Sequence, residues 1–216
     1  MKERIEHTLL KPQATPADIV WLCKEAVEAG LFGVCVNPCF VKQAKTLLQS
    51  SPVKVVTVIG FPLGANTTDI KTLETKQAVM NGADEIDMVM NIGALKAGEE
   101  EIVKSDIAHV VSAAGDKPVK VIIETCLLTR EEKILAVKLI AQAKAQYVKT
   151  STGFNIAGAT VEDVRLLRQE ADKYGLKVKA AGGIRDRKTA EAMVAAGADR
   201  IGTSAGPKVV GGGHDK

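Results

Sequence analysis

Residues 119–151 read VKVIIETCLLTREEKILAVKLIAQAKAQYVKTS, and the fold turns on how they divide. VKVIIET (119–125) is rich in Val and Ile and almost continuously apolar, the pattern of a strand covered on both faces. Thr129 then precedes REEKILAVKLIAQAK (130–144). A hydroxyl at the cap with glutamates in the first turn satisfies the unpaired N–H groups and the dipole of a helix start. YVKTS (147–151) is again strand-like, so the stretch predicts a βα unit leading into a second strand.

The same rhythm extends in both directions. Candidate strands are IEHTL (5–9), GVCVN (33–37), KVVTVIG (54–60), EIDMVMN (85–91), VKVIIET, YVKTS, KVKAAGG (177–183) and RIGTS (200–204). Helical segments follow Thr15-Pro16, Thr67-Thr68-Asp69 and Thr160, and several end at a glycine (Gly30, Gly82, Gly175, Gly197) suited to a left-handed C-cap. Eight βα units predict an α/β chain closed into a (β/α)8 TIM barrel, at the short end of that fold's size range. The competing arrangement is an open doubly wound sheet. It would be wide for this length, and neither a GxGxxG fingerprint nor a P-loop is present. No Ser- or Pro-rich linker interrupts the chain, so a single domain over 1–216 is expected, with about 207–216 as a flexible C-terminal tail.

Composition narrows the function classes. With 46% hydrophobic residues the chain can bury a sizeable core. Lys plus Arg number 29 against 26 Asp plus Glu, without a basic run, which argues against a nucleic-acid or membrane surface as partner. Aromatics at 3% argue against base-stacking platforms. The four cysteines have neither CxxC nor zinc-finger spacing, and no signal-type or membrane-spanning run is visible. A reduced, soluble, cytoplasmic protein is expected, with no metal site and no cofactor.

Catalytic groups of such barrels sit at the C-terminal ends of the strands, and apolar layers fill the middle. Polar residues that interrupt strands therefore stand out: Asp87 in EIDMVMN, Glu124 in VKVIIET, Lys149 in YVKTS and Lys179 in KVKAAGG. A strand lysine can snorkel to solvent along its aliphatic stem. Two strand lysines facing one cavity offer more. An amine with an ordinary pKa of about 10.4 becomes a nucleophile near neutrality only beside apolar surroundings or another cation. One lysine could then attack a carbonyl while the other stays charged. Asp87 fits either an ion pair with a lysine or proton transfer, and Glu124 an ion pair at the barrel mouth or catalysis. The glycine-rich ends TSTG (150–153), AGGIR (181–185) and GTSAG (202–206), from the last three strands, suit phosphate binding by backbone N–H groups, with Arg185 as a forked partner. A sugar-phosphate binding protein would keep those loops but has no need of Asp87, Lys149 and Lys179 together.

In order along residues 5–206, IEHTLLKP, VCVNP, EIDMVMNIG, VKVIIETCLL, YVKTSTGF, VKAAGGIR and RIGTSAG resemble the deoxyribose-phosphate aldolase family. The resemblance implies a class I aldolase on a (β/α)8 barrel, joining acetaldehyde and D-glyceraldehyde 3-phosphate into 2-deoxy-D-ribose 5-phosphate, within deoxyribonucleotide catabolism. It implies Lys149 as the Schiff-base lysine, Lys179 as the lysine that tunes it, and Asp87 in the proton relay. Substrate phosphate would lie near Gly153, Gly182, Gly183, Arg185, Gly202 and Ser204. A homodimer is a further expectation. Three departures stand out. Glu6 occupies a position usually aspartate, Ala205 replaces a second serine found in some relatives, and the VVGGGHDK end lacks the C-terminal tyrosine that some members carry.

Overall fold

The computed structural model describes residues 1–211. Its strands are β1 (Ile5–Leu9), β2 (Gly33–Val36), β3 (Lys54–Ile59), β4 (Glu85–Val89), β5 (Val119–Ile122), β6 (Tyr147–Lys149), β7 (Lys177–Ala181) and β8 (Arg200–Thr203). They pair in parallel in sequence order, and β8 returns to β1 to close the barrel. The (β/α)8 architecture read from the sequence is the observed one. β1 ends at Leu9 as expected, and the other seven strands end one to three residues before their expected limits, because the polar and glycine residues that follow leave the ladder to form the mouth.

The helices are α1 (Pro16–Glu28), α2 (Val41–Leu47), α3 (Thr68–Met80), α4 (Ile92–Lys96), α5 (Glu100–Ala114), α6 (Arg130–Gln142), α7 (Val161–Asp172), α8 (Arg187–Ala195) and α9 (Gly206–Val209). Their starts carry the chemistry expected of them. Thr15 and Thr129 form reciprocal capping boxes with Asp18 and Glu132, and Thr160 accepts from the Asp163 N–H. Thr67 precedes α3 without a side-chain capping bond. Gly30, Gly82, Gly175 and Gly197 all adopt positive φ beyond their helix ends. The expected tail from about 207 meets α9, whose Val209 is fully buried. Residues 212–216 lie outside the described part.

The strands' alternation sorts side chains between two interiors. Outward residues such as Val34, Val36, Ile86, Met88, Val121, Val148, Val178 and Ile201 join the helices in the main core. Inside the barrel an apolar cluster is small, formed by Leu10, Cys35, Val56 and Val58 with Phe61 against it. The remaining lumen departs from the expected apolar layers: Glu6, Asp87, Lys120, Lys149 and Lys179 fill it and are all buried. Charge can replace hydrocarbon here because each group has opposite partners within hydrogen-bonding reach.

Candidate active site

Asp87 is the hub of the lumen. It sits mid-strand in β4, between Ile86 and Met88, which point into the outer core, so its carboxylate has nowhere to go but inward. One oxygen accepts from Lys120 Nζ at 2.7 Å, and the other from Lys149 Nζ at 2.7 Å and Lys179 Nζ at 2.6 Å. Lys149 and Lys179 are direct register partners across β6 and β7. That register turns the shared strand-lysine pattern into one pair of facing amines.

The array continues towards the N-terminal ends of the strands. Lys179 also pairs closely with Glu6. Lys120 reaches Glu85 at 2.7 Å and Glu6 at 3.5 Å. Arg200 donates to Glu6 at 2.9 Å, to Glu85 at 3.2 Å and to the Tyr147 hydroxyl at 3.2 Å, while its guanidinium stacks 3.4 Å from the Phe32 ring centroid.

Three carboxylates (Glu6, Glu85, Asp87) therefore face four basic groups (Lys120, Lys149, Lys179, Arg200). The lumen is electroneutral when one amine gives up its proton, and Lys149 is the one whose surroundings favour that loss. Burial pushes its pKa down and Lys179 adds to that, against the opposing pull of Asp87. Lys120 and Lys179 are instead held above the ordinary lysine value: burial opposes their charge, but Asp87 and Glu6 outweigh it. Asp87 is held well below the usual carboxylate range, burial being overcome by the three lysines. An amine whose proton is held less tightly than an ordinary lysine's is the best placed nucleophile of the three.

Above this floor opens a cavity of about 360 Å³. Lys149 lines it together with all six residues expected near phosphate: Gly153, Gly182, Gly183, Arg185, Gly202 and Ser204. Asp87 and Lys179 lie beneath. The loop glycines at 153, 182 and 183 have φ of 82°, 89° and 78°, which a side chain would strain. A methyl group on Gly202 would come within 3.2 Å of the Lys179 Cε, so this position keeps the second lysine's stem free.

Glu124 takes the structural option. In left-handed conformation (φ 54°), it accepts from the Thr152 N–H at 3.2 Å and, closely, from the Thr152 hydroxyl, pinning the loop that follows Lys149. Phe154 on the same loop meets Phe61 edge-on at 5.3 Å. Lys11, from the loop after β1, also lines the cavity.

Lys120, Glu85 and Arg200 escaped the sequence reading, as did Glu6 beyond its being an unusual residue. For Lys120 the signal was present: VKV breaks an apolar run as YVKTS does. Glu85 and Arg200 stand first in their strands, where charge ordinarily meets solvent.

Glu6, Cys35 and Asp87 bring ligand atoms within 4.8 Å of one another, a spacing a metal ion could use. Their chemistry favours amines. Both carboxylates are engaged by Lys179, and burial pushes the Cys35 thiol up to about 11, so it holds its proton.

Comparison with known proteins agrees with this geometry. Residues 3–210 match the DeoC/LacD family aldolase description. A deoxyribose-phosphate aldolase of Brevibacillus brevis is 58% identical over 212 residues, covering 98% of this chain and 96% of the relative. One from Thermococcus kodakarensis is 56% identical over 216 residues, covering 98% and 96%. The solved structure of the Aeropyrum pernix deoxyribose phosphate aldolase, described as tetrameric, superposes with a TM-score of 0.91 at 35% identity, covering 97% of this chain and 89% of that one. An amine-lined aldolase floor, a phosphate-suited rim and near-full-length relatives converge: the chain belongs to the DeoC/LacD family of aldolases.

Proposed function

We propose that the protein is a deoxyribose-phosphate aldolase, reversibly cleaving 2-deoxy-D-ribose 5-phosphate to acetaldehyde and D-glyceraldehyde 3-phosphate through a Schiff base on Lys149. The observation that carries this is the Lys149 amine at the floor of a cavity rimmed by the glycine loops, facing Lys179 across β6 and β7 and sharing Asp87 with it. The amine attacks C1 of the open-chain sugar, and loss of water gives a protonated imine. Breaking C2–C3 sends the electron pair towards the iminium nitrogen, while the C3 hydroxyl gives up its proton and becomes the aldehyde of the departing triose phosphate. The enamine left on Lys149 takes a proton at C2, and water releases acetaldehyde.

Asp87 and Lys179 serve these proton transfers: Asp87 touches both amines, and Lys179 keeps the charge that suppresses protonation of Lys149. The 5-phosphate is held by the backbone at Gly153, Gly182, Gly183, Gly202 and Ser204 with Arg185, which aims C1 down at Lys149. The iminium is the electron sink, so the chemistry calls on neither metal nor cofactor. No helix among the described residues is long and apolar enough to cross a membrane, and a cytoplasmic homodimer acting on small aldehydes and sugar phosphates completes this reading. Ile70 and Leu73, half or more exposed on α3, are apolar surface that a dimer would cover. Sedimentation would separate it from a monomer or a tetramer.

Borohydride reduction with 2-deoxyribose 5-phosphate, followed by peptide mass mapping, tests the mechanism. A reduced adduct on Lys149 is the expected result. A folded protein without one would remove Lys149 from the nucleophile's role.

A further inference from the structure

A second cavity, of about 470 Å³, opens at the opposite end of the barrel, among the N-terminal ends of β4, β6, β7 and β8. Lys144, Gln146, Tyr147, Tyr174, Lys177 and Arg200 line it, and Glu85 is the one carboxylate there, already shared by Lys120 and Arg200. Glu85 and Arg200 are committed to the lumen array, so Lys144 and Lys177 leave an excess of positive charge at this end, between two tyrosines that offer ring faces and hydroxyls.

Lys144 adds an independent sign. It occupies the left-handed position after α6 with φ 64°, where the ends of α1, α3, α7 and α8 use glycine. Among the described residues only Lys144 and Glu124 are non-glycine with positive φ, and Glu124 pins the catalytic loop. A side chain kept where the backbone favours glycine points to a use for that side chain.

We infer that this cavity is a second anion site, taking a small polyphosphate or phosphate ester, and that filling it slows the chemistry at the other end of the barrel. The connection is the charge array. Arg200 lines the cavity and donates to Glu6, and Glu6 pairs with Lys179 beside Lys149. The ionisable groups of the lumen around Lys149 are Glu6, Cys35, Asp87, Lys120 and Lys179, with Glu85, Tyr147 and Arg200 at the far end of the array and Lys11 and Arg185 at the mouth. Three acids already balance all but one of the four lumen cations. A further negative charge at the base therefore favours the state in which Lys149 keeps its proton, and a protonated amine cannot attack a carbonyl.

Pyrophosphate is the probe: it carries the phosphate chemistry without a sugar. In calorimetry, a pyrophosphate site should persist when the catalytic mouth is altered by Arg185→Glu. It should weaken tenfold or more in the double variant Lys144→Gly, Lys177→Ser. That variant relieves a left-handed lysine and trims an exposed one, so its melting temperature and its activity without pyrophosphate should hold. In kinetics, which rest on the aldolase reading, pyrophosphate should lower kcat with KM for 2-deoxyribose 5-phosphate unchanged. The acid limb of kcat/KM should move up by roughly half a pH unit. Binding that is absent, lost in Arg185→Glu or indifferent to the double variant would overturn the proposal, as would purely competitive inhibition or an unchanged kcat. A protein without turnover would instead count against the aldolase reading and leave the calorimetry readable.

Discussion

Lys149 attacks only in its neutral form, so its pH dependence is the most direct readout of its surroundings. Its pKa is pushed down by burial and by Lys179, which extends activity towards lower pH: the rate rises as pH passes the pKa of this amine. Lys149→Leu should lower kcat at least about a thousandfold while substrate still binds, measured in a coupled assay and by calorimetry. Lys179→Leu should cost roughly a hundredfold or more in kcat. It should also move the acid limb of kcat/KM to higher pH, because a cation that opposed protonation is gone. An acid limb that stays in place would remove Lys179 from the tuning role. Asp87, Lys149 and Lys179 were legible in the sequence because each interrupts an apolar strand with a group too costly to bury alone. Lys120 broke its strand in the same way. What sequence could not supply was the register, which alone tells that Asp87 and Lys120 are opposite one another across β4 and β5.

At the scale of elements, the phosphate rim depends on two loops lying closer than any side chain would allow. A Cβ on Gly158 would fall 2.2 Å from the Gly182 carbonyl oxygen. Gly158→Ala should therefore push the loops after β6 and β7 apart, costing about 1–3 kcal/mol of stability. KM for the phosphorylated sugar should rise more than kcat falls, as steady-state kinetics and thermal unfolding would show. Thr129→Ala is the contrasting case. It removes the capping box of α6, and should cost about 1 kcal/mol with kcat and KM unchanged. Capping chemistry was readable because it is local: a hydroxyl, then an acid three residues on. The contact of Gly158 with Gly182 was not, since it joins segments whose approach depends on the closed barrel.

Over the whole molecule, stability and catalysis draw on the same buried charges. Glu6 and Asp87 are both held below their ordinary values of 4.5 and 3.8, since the basic groups around them outweigh burial. Their contribution is complete above those values and is lost as pH falls through the lower values of the folded state. Acid unfolding followed by circular dichroism should accordingly show a steep loss below about pH 4, as protonated carboxylates leave the lumen cations without partners. The sequence pattern revealed the barrel because outward-facing residues obey the alternation of a covered sheet. It concealed the character of the lumen, because strand-end charges such as Glu85 and Arg200 look like solvent-facing ones until the barrel closes over them. The imbalance of three acids and four bases also bears on which sugars the enzyme can turn over. The lumen's charges balance when Lys149 is neutral, the form that attacks, but each iminium intermediate restores a positive charge at that nitrogen. The arriving sugar brings its own counter-ion in the 5-phosphate at the rim above. Removing the phosphate from the substrate thus deprives the intermediates of a compensating charge as well as an anchor, and the loss would appear in kcat as well as in KM.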